Sequence, residues 1–257
     1  MVPIIVLSRY GLPMPKPAAT SKRKTTEVPR FEGFADTSAA FFHQLTLHND
    51  REWFEAHREA YQEGWLRPME ALLHEVRERL LRAYPGGGLG RPKIFRINRD
   101  LRFSKDKSPY KTHVGGFLPV AGPSDGRSQI EQPAALYFHV SHSELFAAAG
   151  LYGMDPATLA RHRQALIDSR RGKELDRILA GLRRRSMRLD AREALKRPPA
   201  GFDSEHPRLE LLKMKGLIAV TNELDRRLLT KPELVDFLVD CGRACAPLNR
   251  WLASNCL

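Results

Sequence analysis

The chain has 257 residues, 42% hydrophobic and 28% charged, an ordinary composition for a globular protein with a substantial core. Its net charge of +12 permits attraction to nucleic acid, an anionic membrane surface or phosphorylated metabolites, but says nothing about fold. No apolar run approaches the roughly 20 residues that span a bilayer, and Val2–Leu7 is too short for a signal sequence, its basic residues following it. No membrane partner and a cytoplasmic location are expected. Cys241, Cys245 and Cys256 form an odd set that does not look like a secreted disulfide framework.

The charge is regional: residues 1–30 carry +5, residues 94–111 carry +4 and residues 170–197 carry +7. Residues 1–30 mix Pro, Lys, Thr and Ala without periodicity and read as a disordered basic tail, within which Met14 offers an alternative start. Three helices are expected next. Asp36 caps one running to about His48, Asn49 and Glu52 have capping-box spacing for a second, and Pro68 opens a third with the stripe Leu72, Leu73, Val76, Leu80. Trp53, Phe54 and Tyr61 read as a core-facing stripe. After Gly86-Gly87-Gly88, strands are expected at 93–103, 112–120, 134–142 and 144–150, with a later one near 216–221. Their short connections favour antiparallel pairing. Asp155-Pro156 starts a helix to about Asp168, another covers 172–185, and Thr230 with Glu233 opens a terminal helix that Pro247 kinks or interrupts. The expected fold is α+β, a mainly antiparallel sheet flanked by helices, as one globular domain over residues 31–257.

The segment from Ile94 to Lys111 concentrates the chemistry. If residues 94–103 form a strand, Phe95, Ile97, Leu101 and Phe103 share one face with Arg99 among them, and Arg96 and Arg102 lie on the other. A guanidinium on an apolar face needs a carboxylate or several acceptors, so Arg99 either faces a polar cavity or belongs to internal ion pairs. Lys105, Lys107, Tyr110 and Lys111 follow on a Ser-Pro turn, where lysines meet phosphates and a tyrosine stacks on a ring; a solvated hairpin is the plainer reading.

Other patterns fail. Asn98-Arg99-Asp100-Leu101 lacks the His and Asn of a kinase catalytic loop, the glycine run lacks phosphate-loop and dinucleotide spacing, and there is no GxSxG. His139 and His142 lie three apart across a strand end and read as core or surface residues, with no metal expected. Cys241 and Cys245 read as small core residues. The cations of 170–197 scatter around their helix and read as a solvated face.

Three blocks carry a resemblance: Asn49-Asp50-Arg51-Glu52-Trp53-Phe54, the run from Arg96 to Thr112, and Leu195-Lys196-Arg197-Pro198-Pro199 through Gly201-Phe202-Asp203 to His206-Pro207 and Lys213 to Lys215. Over roughly residues 31–253 the chain resembles a bacterial family of conserved hypothetical proteins, the domain of unknown function numbered 2461. The resemblance implies a cytosolic α/β-containing unit without a recognised cofactor, and it supplies no catalytic residues. The leading expectation is an anionic, phosphate-bearing ligand held in an Arg/Lys-lined cleft by Arg96, Arg99, Arg102, Lys105, Lys107, Tyr110 and Lys111. Lys196, Arg197 and His206 contribute from the other side. No general base stands out among His139, His206 and Asp100, and no enzyme activity is assigned. Two rivals stay open: nucleic-acid binding through the tail and residues 170–197, and an interaction protein whose arginines pair internally.

Overall fold

The computed structural model describes residues 30–85, 88–102, 106–120 and 133–257. The basic tail up to residue 29 and Lys105 therefore lie outside the described residues. Six antiparallel strands form one sheet in the order β1-β2-β3-β4-β6-β5. They are β1 (Lys93–Ile94), β2 (His113–Pro119), β3 (Ala134–Ser141), β4 (Leu145–Leu151), β5 (Arg188–Asp190) and β6 (Leu217–Val220). The α+β architecture is as expected, a mainly antiparallel sheet with helices packed against it in one globular domain.

Period-two alternation decides which side chains meet the helices. Val114 and Leu118 of β2, Leu136, Phe138 and Val140 of β3, and Leu145 and Ala147 of β4 enter the largest core. There they meet Leu72, Leu73, Val76 and Leu80 of helix α4 (Arg67–Leu80) and Leu234, Leu238 and Val239 of α8 (Glu233–Cys256). A second core joins Ala149, Leu217 and Ala219 to α5 (Pro156–Ile167), α6 (Ser169–Arg184), α7 (Leu209–Lys213) and the end of α8. Asn249 ties α8 to this scaffold, donating to the Tyr84 hydroxyl at 3.0 Å and the Ala135 carbonyl at 3.1 Å. Gly150 is where β4 meets β6 at close quarters: its φ is +127°, and a Cβ there would sit 2.3 Å from the Leu217 carbonyl oxygen.

The helices before the sheet depart from their sequence reading in instructive ways. α1 (Ala40–Leu47) starts four residues after Asp36, whose carboxylate is used on the Ser38 and Ala40 N–H groups. Asp50, not Asn49, caps α2 (Arg51–Ala56), accepting from the Trp53 N–H at 2.9 Å. Pro68 lies in the first turn of α4, as its place in the sequence predicts, although that helix follows on from helical residues and not from a loop. α3 (Arg58–Tyr61) runs into a π turn (Gln62–Leu66) and on into α4. Proline offers no N–H to the Gly64 carbonyl, which accepts instead from Ala35 at 3.1 Å. Thr230 ends a 3₁₀ turn and leaves the start of α8 uncapped by any side chain, and α8 runs through Pro247 without a break.

The largest difference lies at the first strand. Only Lys93–Ile94 forms it, where residues 93–103 were expected. From the pair Ile94↔Gly116 to the bridge Asn98↔Tyr110, one side advances four residues and the other six, so two extra residues bulge opposite Arg96. Beyond Arg99 the Asp100 carboxylate accepts from the Arg102 N–H at 3.2 Å and turns the chain, leaving Leu101 exposed.

Buried neutral histidines make this fold sensitive to acid. His162 of α5 is fully buried, packed edge-on to Trp251, and burial with nearby Arg163 pushes its pKa down to about 4. His113 is likewise lowered to about 4 by burial, Lys111 and Arg99. Between that value and the ordinary 6.5 the unfolded chain takes up protons that the folded chain refuses, so stability falls as pH drops through this window. Urea midpoints measured from pH 7 to pH 4.5 should fall for the wild type, and His162→Leu should flatten that slope.

Candidate functional site

The chain segments 93–99 and 109–117 form an irregular hairpin at the edge of the sheet. Its backbone is joined by Phe95 N–H to the Gly115 carbonyl (3.0 Å), Lys111 N–H to Ile97 (2.8 Å) and Arg99 N–H to Pro109 (2.8 Å). Two side chains hold its far end. Arg99 donates to the carbonyls of Ser108 (3.2 Å) and Tyr110 (3.1 Å) and pairs with Asp106 at 3.0 Å. Asn49, freed from capping duty, reads the same peptide from the helix side. Its amide donates to the Tyr110 carbonyl and its oxygen accepts the Tyr110 N–H, both at 3.0 Å. The Tyr110 ring stacks on Phe54 with centroids 4.2 Å apart.

With Tyr110 turned to the helices, Lys111 points to the opposite face of the sheet. There it joins His113 and Phe117 of β2, Tyr137 and His139 of β3, and Phe146 of β4, each alternate to a core residue. The Lys111 residue is 5% exposed. Its ammonium donates to the Arg96 carbonyl at 2.8 Å, at the bulge, and lies 5.5 Å from the Phe95 ring centroid. No carboxylate pairs with it among the described residues. Burial, then Arg96 and Arg99, lower its pKa to about 8.

The histidines beside it are neutral at pH 7. The His113 and His139 rings are 4.5 Å apart, and burial holds His139 well below the ordinary imidazole value. His139 Nδ1 lies 2.9 Å from the Tyr137 hydroxyl, and its Nε2 is 3.7 Å from a Glu144 oxygen. A Cβ on Gly115 would come within 2.8 Å of that hydroxyl, so glycine there makes the space it occupies. His139 is thus hydrogen-bonded to Tyr137, while Glu144 stands nearby at a distance too long for a hydrogen bond. Among the described residues no three His, Cys, Asp or Glu side chains gather as a metal site would need.

Of the ten residues singled out from sequence, Lys105 lies outside the described residues and the other nine separate clearly. Arg99 is an internal staple, and Arg102 is paired to Asp100 through bonds of 3.0 and 2.7 Å. Lys107 is exposed, donating to the Leu101 carbonyl at 2.9 Å, and Tyr110 is a buried core ring. Arg96 is exposed beside Lys111. Lys196 and Arg197 are exposed on a segment leaving the opposite edge of the sheet, where Ala194 bridges Met214 next to β5 and β6. His206 Nδ1 accepts the Arg208 N–H at 3.0 Å, and Arg208 is anchored on α6 through Asp176. Lys93, His113, Phe117, Tyr137 and Phe146 went unremarked in the sequence. Their signal was the parity of β1 to β4, which places them on the face opposite the helices of the main core.

A family model described as a conserved hypothetical protein (DUF2461) matches residues 37–251. The chain belongs to the DUF2461 family. No curated protein matches it. Two of the blocks that carry the family resemblance meet physically at the Asn49–Tyr110 contact. Removing the Asn49 amide leaves the Tyr110 N–H without its partner, at a cost of about 1–3 kcal/mol. Asn49→Ala should lower the urea midpoint accordingly, whereas Asn49→Asp, which keeps the acceptor, should recover part of the loss.

Proposed function

We propose that the face of the sheet at β1–β3 opposite the core helices binds an anionic, phosphate-bearing ligand, with Lys111 and Arg96 as its direct partners. The observation that carries this reading is the Lys111 ammonium, buried yet without a carboxylate among the described residues. The nearby acids are committed elsewhere, Asp106 to Arg99 and Asp100 to Arg102. Lys93 and Arg96 add exposed positive charge at the same edge. Arg99 then acts as a positioning residue, and Lys196, Arg197 and His206 drop out of the direct set. Three free thiols on α8, each held up to about 12 by burial, support a cytosolic setting.

Nucleic acid is the second reading, favoured by one observation. Arg170, Lys173, Arg177 and Arg184 are exposed on α6 and fall within about 60° of its circumference, while Arg171 and Arg183 of the same helix lie off that stripe. A groove of about 650 Å³ beside it, between α6 and α8, includes Arg171 and Arg250 as well. Binding there would weaken steeply with salt and ignore Lys111.

Sulfate, whose charge is constant over the range, separates the readings. An anion stabilises the protonated lysine, so affinity should fall about tenfold between pH 7 and pH 9 as Lys111 loses its proton. Lys111→Met should abolish the sulfate-induced rise in melting temperature while leaving the free protein at least as stable, because it removes a buried unpaired charge. A sulfate shift that survives in Lys111→Met, or an affinity flat across this pH range, overturns the proposal.

A further inference from the structure

The groove of about 650 Å³ between α6 and α8 shares no residue with the Lys111 site and is built differently. One face of each helix lines it, at positions 170, 171, 174, 177 and 178 of α6 and 247, 250, 251, 254 and 255 of α8. Each face covers two turns, a run of about 12 Å. The apolar part of the groove is Ile178, Pro247 and Trp251. Trp251 is 2% exposed, and its indole N–H donates to the Arg171 carbonyl at 3.1 Å, which holds the two helices together along the groove. The four arginines are unequally committed. Arg171 pairs with Asp168 at 3.4 Å, and Arg250 donates through one nitrogen to the Ala83 carbonyl at 3.0 Å. The side chains of Arg170 and Arg177 are exposed and have no partner among the described residues. Neither has Glu174, although it lies four residues after Arg170 and three before Arg177 on the same helix.

From this arrangement we infer that the α6–α8 groove is a docking site for a short acidic stretch of a partner protein, bound extended. Its carboxylates meet Arg170, Arg177 and Arg250, and its apolar side chains meet Ile178 and Pro247. Guanidiniums with donors to spare match carboxylates in both charge and planar geometry. A run of about 12 Å takes three or four extended residues, whose side chains alternate between the apolar part of the groove and its charged rim. Phosphates would satisfy the same arginines, but nucleic acid does not use the rest of the groove. Its backbone would carry a row of negative charge past Glu174, and Trp251 is too buried to offer a ring face to a base. A peptide meets Glu174 with a backbone N–H or a cationic side chain, and covers the aliphatic surface that a sugar-phosphate backbone leaves bare. The chain's own first thirty residues carry +5, the wrong charge to fill the groove.

Fluorescence anisotropy on the full chain tests this, with a labelled Glu-Leu-Glu-Leu-Glu peptide, its Gln-Leu-Gln-Leu-Gln counterpart and a labelled single-stranded oligonucleotide. The glutamate peptide should bind saturably and about tenfold or more tighter than the glutamine peptide, since its contacts are charge-assisted. Arg177→Glu should weaken it about tenfold or more, and Arg177→Gln should act in the same direction. Arg177 bonds nothing in the fold, so both variants should melt as the wild type does. Arg184→Glu reverses a charge of the same helix outside the groove and should leave peptide affinity unchanged. Lys111→Met should leave it unchanged too, which keeps this inference separable from the anion reading. Absence of saturable peptide binding, equal affinity for the two peptides, or affinity unmoved by Arg177→Glu overturns the inference. An equal loss in Arg184→Glu overturns it as well, by showing attraction to the whole helix. An oligonucleotide that binds tighter than the peptide and weakens in both charge reversals overturns it in favour of nucleic acid.

Discussion

The Tyr110 peptide is the constraint on which the rest depends. Its N–H and carbonyl are both read by Asn49, its carbonyl is shared with Arg99, and its ring is stacked on Phe54. These contacts fix which way the chain faces at one residue, and alternation does the rest. Tyr110 turns to the helices, so Lys111 and His113 turn away from them. A slip by one residue would exchange the two sets and put an ammonium into the hydrophobic core. The same contacts make the edge hairpin tolerable despite its bulge, since β1 supplies only two residues to the ladder.

That placement has an energetic cost, and the acids in the segment do not relieve it. Lowering a lysine from 10.5 to about 8 corresponds to about 3 kcal/mol of disfavour for its charged form. The carboxylates of Asp106 and Asp100 lie five and eleven residues before Lys111 in the chain, yet each pairs with an arginine instead. Arginine suits that role, its planar fork satisfying several carbonyl and carboxylate acceptors together, as Arg99 does. Cationic residues close in sequence thus divide into staples and an unpaired remainder. The residual positive charge of Lys111 lies beside the Phe95 ring and next to neutral histidines.

Much of the sheet was legible because its strands obey simple periodicity. Val114, Leu118, Phe138 and Val140 mark a buried face in any reading, and short connections force antiparallel neighbours. β5 was not legible, since Arg188-Leu189-Asp190 is three residues inside a strongly basic stretch. The long strand at 93–103 was overread because alternation continues through Ile97 and Arg99 although the ladder shifts at Arg96 and Asp100 turns the chain. Asn49 misled through local spacing: capping-box positions fitted it, but its partner lies 61 residues away. The candidate site suffered similarly. Arginine content drew attention to side chains that the fold spends on itself, while Lys111 looked like one more lysine in a charged loop. Only the three-dimensional pairing of Arg99 with Asp106 and of Arg102 with Asp100 leaves Lys111 distinct.

The central claim is that Lys111 is a buried cation whose counter-charge comes from outside the protein. Following the Lys111 side-chain resonances through a pH titration, in the free protein and with saturating sulfate, tests it most directly. The account predicts a midpoint near 8 in the free protein, rising when the anion is bound. A midpoint near the ordinary 10.5 in the free protein, unmoved by the anion, would contradict it.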